Sequence, residues 1–123
     1  MLMDYCGCRK FNECQNHDIG LGCLYIGDDT LQMKITENRG HFATKEEALE
    51  RVRLAIDDGL IPLLGRAMGE ATGYGVENKG YFLSCCFCCA DCCINGKIMT
   101  HGPNANMTMF SRIELIILVA LRS

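Results

Sequence analysis

The apolar positions show the period of a helix most clearly between residues 44 and 59. They recur at helical spacing and define one face, formed by Ala48, Leu49, Val52, Ala55 and Ile56. The charged residues predicted to face water are Glu46, Glu50, Arg51 and Arg53. Thr44 and Glu47 have the spacing of a capping box, and Gly59 is a residue that commonly ends a helix. We therefore predict one clear amphipathic helix over residues 44–58.

A pattern of period two occurs earlier in the chain, in the segment LYIGDDTLQMKIT at residues 24–36. Leu31, Met33 and Ile35 alternate with polar neighbours, which is typical of a half-buried strand. Gly27–Asp29 has the composition of a turn. The pattern predicts a short strand, this turn, and a second strand.

For most of the remaining chain, the sequence predicts loops, followed by a short apolar segment at residues 115–121. Residues 1–24 are rich in glycine and polar residues, whereas residues 60–80 are apolar and then glycine-rich. Pro62 prevents the helix from continuing. The glycines between 65 and 80 match neither phosphate-binding motif. Towards the end we predict a turn at His101–Asn104 and a second helix near 105–113. The run LIILVAL at 115–121 suggests a buried strand or short helix, and it is too short to span a bilayer.

Length and charge place limits on the class of protein. The 123 residues predict a single cysteine-rich domain over 1–123, with a small, loop-rich α+β fold that metal stabilises. A net charge of −3 and the lack of a basic stripe argue against nucleic acid as a partner. The start of the chain lacks the apolar core of a signal peptide. We therefore expect a cytoplasmic protein without a membrane partner.

The cysteine content is the most informative feature of the composition, because the chain contains ten cysteines. Four lie in residues 1–24 and six lie in CCFCCADCC, residues 85–93. Complete disulfide pairing would require at least one bridge inside the second segment, where neighbouring cysteines pair only with strain. If residues 81–94 were helical, most of these cysteines could instead form a buried apolar stripe. Neither alternative explains why so many thiols are needed.

Metal binding is the interpretation that uses this many thiols. Two sets of ligands follow from position in the sequence. The first set is Cys6, Cys8, Cys14 and Cys23, and the second is Cys86, Cys88 and Cys89 with Cys92 or Cys93. Cys85 and His17 are further candidate ligands, whereas His41 and His101 lie in polar segments and are predicted to be exposed. The close cysteine spacing favours iron–sulfur clusters over structural zinc only modestly, so both remain open.

The order YCGCRKFNEC, GCLYIG, ATKEEALERVRLAIDDGLIP and CCFCCADCC resembles a group of ferredoxin-like, 4Fe–4S binding proteins of anaerobes. The resemblance covers about residues 4–95 and marks as cluster ligands Cys6, Cys8, Cys14, Cys23, Cys86, Cys88, Cys89, Cys92 and Cys93. The chain differs from the group in Asp91, where another cysteine is common, and in Cys85, which is extra. The group also commonly continues into a two-cluster ferredoxin module, which these residues do not contain.

The resemblance implies one or two [4Fe–4S] clusters and an electron-transfer or redox accessory role in an anaerobic bacterium or archaeon. It also implies a truncated form or a separate ferredoxin as the redox partner. A structural zinc-binding interaction module is the alternative. A redox enzyme using Cys92–Cys93 with Asp91, Glu70 or Arg66 is less favoured, because no nucleophile and base pair is evident. The run at 115–121 could also pair two chains into a homodimer.

Overall fold

The computed structural model describes residues 1–65, 69–94, 96 and 97. These residues form three short α-helices and a five-stranded antiparallel sheet. In chain order the elements are β1 (Leu2–Met3), α1 (Gly7–Phe11), β2 (Leu24–Ile26), a 3-10 helix (Asp28–Gln32), β3 (Gly40–His41), α2 (Lys45–Asp57), β4 (Ile61–Gly65), α3 (Glu70–Gly73) and β5 (Leu83–Cys88). The predicted α+β class with many loops is confirmed.

The strands lie in the order β3-β1-β2-β5-β4. Cys85 of β5 pairs with Leu24 of β2 on one side and with Leu64 of β4 on the other. Pro62 lies in β4, an edge strand, where a residue without an N–H group is tolerated. Because β2 lies beside β5, the first cysteine segment of the chain is brought against the second.

The amphipathic helix predicted over residues 44–58 is confirmed as α2. Thr44 caps it, since its hydroxyl oxygen accepts a hydrogen bond from the Glu47 N–H at 3.2 Å. Gly59 follows the helix with φ 84°, the left-handed conformation expected of a helix stop. Val52 and Ala55 are buried in the same hydrophobic cluster as the sheet residues Leu2 and Leu24.

Two side chains of α2 differ from the predicted pattern. Ile56 is 47% exposed, because the buried stripe of the helix is narrow and centres on Val52 and Ala55. Arg51 is half-buried rather than solvated. Its Nη1 donates to Met3 O at 2.8 Å and to Gly22 O at 3.3 Å, so it joins the helix to the first cysteine segment. Local periodicity could not reveal this contact, because both acceptors are distant in sequence.

The second strand predicted within residues 24–36 is wrong. The chain turns into the 3-10 helix after Gly27, and Leu31 is 71% exposed. Asp29 explains the change, since its Oδ2 accepts from Lys79 N at 2.8 Å and from Tyr81 N at 2.9 Å. These bonds bind the segment to the loop before β5, so it does not add a strand to the sheet.

Several predictions from the sequence fall on residues outside those that the structure describes. They are the turn at His101–Asn104, the helix near 105–113, the apolar run 115–121 and the side chains of Arg66 and His101. Within the described residues, no helix has the length and apolar character needed to cross a bilayer.

His41 of β3 interacts with two carboxylates, Asp4 directly after β1 and Glu47 in α2. It is exposed, as predicted, but lies in a strand. Its Nδ1 lies 2.7 Å from Asp4 Oδ1, and its Nε2 lies 2.7 Å from Glu47 Oε1. The hydrogen bonds with Glu47 and Asp4 raise the pKa of His41. Because the folded pKa is raised, the stabilisation is complete below about pH 6.5, the unfolded value, and is lost as the pH rises through the folded value.

We therefore expect His41→Gln to remove the pH-dependent contribution of these ion pairs to the free energy of unfolding. The loss is within about 1 kcal/mol, because the side chains of His41, Asp4 and Glu47 are each more than a third exposed and are screened by solvent. Urea unfolding at about pH 6 and about pH 8.5 measures it in both proteins. The same change in stability with pH in wild type and His41→Gln would contradict the assignment.

Candidate metal centre

The cysteines of strand β5 lie on two opposite faces of the sheet, because successive side chains of a strand point in opposite directions. Cys85 faces α2 and lies with Ala48 and Val52 along a half-open apolar groove of about 450 Å³. Cys86 and Cys88 therefore occupy the other face. The helix over residues 81–94, on which the packing alternative depended, does not form, since the chain is a strand to Cys88 and then turns.

The most compact group of thiols combines one cysteine from the first segment with two from the second. The sulfur atoms of Cys14, Cys89 and Cys92 all lie within 4.8 Å of one another, and all three residues are buried. Cys14 N donates to Arg9 O at 2.9 Å, which places it directly after α1. Cys92 N donates to the Cys89 sulfur at 3.4 Å, which closes the turn after β5. A group of three thiols at this separation could hold a metal ion.

Two further groups of thiols surround Cys23 and Cys93. The side-chain hydrogen bonds of Cys23 with Cys6 and Cys86, together with burial, raise the pKa of Cys23 well above its ordinary value. For Cys93, the hydrogen bond with Cys8 lowers the pKa, but the hydrogen bond with Cys88 and burial outweigh it. The pKa of Cys93 is consequently raised to about 11. Each of these groups also joins the two cysteine segments.

Within the compact group, the charge favours Cys14. Burial raises the pKa of Cys14, but hydrogen bonds from Cys92 and from the N–H groups of Asn16 and His17, with the positive charge of Arg9, lower it overall. The hydrogen bond with Cys14 is the main reason why the pKa of Cys92 is raised to about 12. Because the thiolate is the form that binds metal, Cys14 is better prepared than Cys92 to act as a ligand.

The nine predicted ligands lie in three groups, of which only that of Cys14, Cys89 and Cys92 is compact enough, among the described residues, to hold a metal ion. These groups mix the two sets expected from sequence position. Every group contains members of both segments, because the loop before β2 lies over the residues that follow Cys85. Cys85 is directed away from them, towards α2. None of the ten cysteines forms a disulfide in the structure.

The other candidate residues lie outside these thiol groups. His17 Nδ1 lies 3.0 Å from Asp58 O and 3.1 Å from Asp58 Oδ2, so the ring is held at the end of α2. Asp91 is exposed and its Oδ2 accepts from Asn16 Nδ2 at 2.8 Å. Glu70 Oε1 accepts from the Tyr25 hydroxyl at 2.9 Å. None of these residues, in the described part of the chain, forms a compact metal-type group with the cysteines.

Cys92 and Cys93 interact with different neighbours, although they are adjacent in sequence. Cys92 interacts with Cys14, whereas Cys93 interacts with Cys8 and Cys88. This separation gives no support to the alternative of a reactive vicinal dithiol, for which the two sulfurs would act together.

Arg9 is a buried residue of the site that was not predicted from the sequence. Its side chain is completely buried, and its Nε donates to Asp18 O at 3.0 Å while Nη1 donates to Phe87 O at 2.6 Å. Nη2 donates to Leu21 O. In the sequence Arg9 stands beside Lys10, which is exposed, in a segment that predicts a loop. No local signal distinguishes the two basic residues, since burial of Arg9 depends on β5.

Comparison of the sequence with protein-family models and with curated proteins, and of the structure with solved structures, finds no match. The resemblance to iron–sulfur proteins of anaerobes stays a prediction. A cysteine cluster able to bind metal is what the structure itself contributes.

Proposed function

We propose that this chain binds iron–sulfur clusters through its thiols and serves as an electron-transfer or redox accessory protein. The observation that carries the proposal is the number of thiols that meet across the two cysteine segments, of which the group formed by Cys14, Cys89 and Cys92 is one part. The six thiols around Cys23 and Cys93 extend this group into an interior rich in sulfur. Iron–sulfur clusters use cysteine thiolates as ligands and transfer single electrons.

The surroundings of the thiols fit an anionic cofactor. The N–H groups of Asn16 and His17 and the positive charge of the buried Arg9 lower the pKa of Cys14. Hydrogen bonds to sulfur and nearby charge are the factors by which proteins adjust cluster potentials. Seven of the nine thiols are buried, with Cys8 and Cys23 partly exposed, so water has limited access.

The proposed partner is a redox protein such as a separate ferredoxin. Each [4Fe–4S]²⁺ cluster with four thiolates adds about −2, so two clusters would change the net charge from −3 to about −7, since −3 − 2 − 2 is −7. A chain with this charge would favour partners with a basic face.

Zinc is the second candidate, and the compactness of the Cys14 group favours it. A tetrahedral zinc ion with Zn–S bonds of about 2.3 Å places its sulfur ligands about 3.8 Å apart. That spacing is compatible with three sulfurs that lie within 4.8 Å of one another. Zinc would make the chain a structural module that folds on metal binding and contacts other proteins.

Metal analysis separates the two functions. We expect iron and acid-labile sulfide in equal amounts after strictly anaerobic purification, about four per chain for one cluster and about eight for two. The protein should be brown and sensitive to oxygen. A colourless protein that contains zinc and no sulfide would refute the iron–sulfur function and establish the zinc module.

A further inference from the structure

The burial of Arg9 requires an explanation that its hydrogen bonds do not supply. Its guanidinium is completely inaccessible to solvent and donates to the backbone oxygens of Asp18, Phe87 and Leu21. Carbonyl groups satisfy the N–H donors, but they are neutral and leave the positive charge without an opposite charge. An isolated buried charge is unfavourable unless an anion lies nearby.

Carboxylates do not supply this anion within the described residues, because none forms an ion pair with Arg9. Arg51 provides a contrast. It also donates to two backbone oxygens, but it is only half-buried, and it interacts electrostatically with the negative charges of Asp4 and Glu47. Arg9 therefore differs from Arg51, because it is fully buried and forms no ion pair with a carboxylate among the described residues.

The position of Arg9 places it beside residues of both cysteine segments. Arg9 follows Cys8 directly, and its carbonyl oxygen accepts the hydrogen bond that places Cys14. Phe87, which accepts from Nη1, stands between Cys86 and Cys88 and beyond the last residue pair of β2 and β5. The guanidinium thus bridges the two cysteine segments at the level where the thiols meet.

We propose that Arg9 is the internal counter-ion of the metal–thiolate centre. This inference rests on the proposed function, because it assumes that the thiols hold metal. As a positioning residue, Arg9 uses its hydrogen bonds to align the two segments and its charge to stabilise bound thiolates. A reduced iron–sulfur cluster carries one more negative charge than the oxidised cluster, so Arg9 also favours reduction.

The test compares the full-length wild-type chain with Arg9→Gln, Arg9→Lys and the control Arg53→Gln, all purified anaerobically. Arg53 is a suitable control because its side chain is 63% exposed on α2. We expect Arg9→Gln to lower the reduction equilibrium constant at least tenfold, which corresponds to about 59 mV for one electron. Arg9→Lys keeps the charge and should remain within threefold of wild type, as should Arg53→Gln.

The comparison distinguishes charge from hydrogen bonding. Lysine and glutamine both lose the planar fork of donors, so a role limited to hydrogen bonds predicts equal shifts in the two variants. Equal shifts would overturn the proposal, and so would an unchanged potential in an Arg9→Gln protein that retains its iron. If Arg9→Gln does not fold, Arg9→Lys decides, since a tenfold shift with the charge still present also overturns it.

A second readout separates failure of this inference from failure of the iron–sulfur function. Zn²⁺ is titrated into the reduced, metal-free full-length chain at about pH 7 against a chelator of known affinity. We expect Arg9→Gln to bind Zn²⁺ at least tenfold more weakly than wild type, with Arg9→Lys within threefold. Zinc without sulfide in the purified protein would refute the iron–sulfur function alone, whereas equal Zn²⁺ affinities would overturn the role of Arg9 alone.

Discussion

Replacing Cys14 with alanine is expected to remove at least half of the metal bound per chain. Cys14 is the only member of the compact group that comes from the first cysteine segment. Its pKa is also lowered overall, whereas that of Cys92 is raised, so Cys14 ionises more readily than Cys92. Without it, Cys89 and Cys92 remain as two neighbouring ligands that no longer connect the segments. Metal and sulfide per chain, measured after anaerobic purification, test this expectation.

The loss of metal should also destabilise the fold. Metal binding to thiolate sites contributes on the order of 10 kcal/mol to the folding of small metal domains. A chain that binds less metal should therefore unfold at lower temperature, and a strong chelator should produce a similar decrease in wild type. An unaltered unfolding temperature after complete metal removal would show that the apolar core alone holds the fold.

Cys85→Ala is the matched control for Cys14→Ala. Both residues are buried cysteines, and both variants lose one sulfur atom. Cys85 is directed towards α2 and should retain full metal content, with a loss of about 1 kcal/mol for the smaller side chain. Equal metal loss in both variants would show that the face of β5 does not decide which thiols bind metal.

Replacing Gly27 with alanine is expected to reduce the free energy of unfolding by more than about 3 kcal/mol. A β-carbon at this position would lie 1.9 Å from Tyr81 O and 2.7 Å from the carbonyl carbon of Tyr81, so the backbone must move. Gly27 also has φ 108°, which a side chain disfavours. The displaced segment would include β2, which positions the first cysteine segment beside β5. Denaturant unfolding of the metal-free and loaded proteins measures the effect.

Gly75→Ala distinguishes this clash from backbone strain. Gly75 also has a positive φ, 68°, but a β-carbon there would meet nothing within 4 Å. We expect a loss of about 1 kcal/mol from the strained backbone alone. If both glycine variants lose the same stability, then the close approach of Gly27 to Tyr81 does not contribute.

The amino-acid sequence by itself determined the features that depend on neighbouring residues. Helix α2 could be predicted because its apolar period, the Thr44 cap and the Gly59 stop all act within a few residues of one another. The number of thiols and their division into two segments likewise indicated metal binding. The α+β class followed from these elements, although the strand expected around Met33 was wrong, because distant N–H groups bind Asp29.

Only the tertiary structure decided how the thiols are grouped and which other residues lie beside them. Cys14 meets Cys89 and Cys92 because β2 lies beside β5, a pairing between segments about sixty residues apart that no local pattern encodes. Cys85 is separated from its neighbour Cys86 because strand residues alternate between faces, whereas a helix would have grouped them differently. Arg9 gained its position in the same way, since Phe87 supplies one of its acceptors. Contacts between distant segments depend on how the whole chain packs. These contacts bring the thiols of the two cysteine segments together.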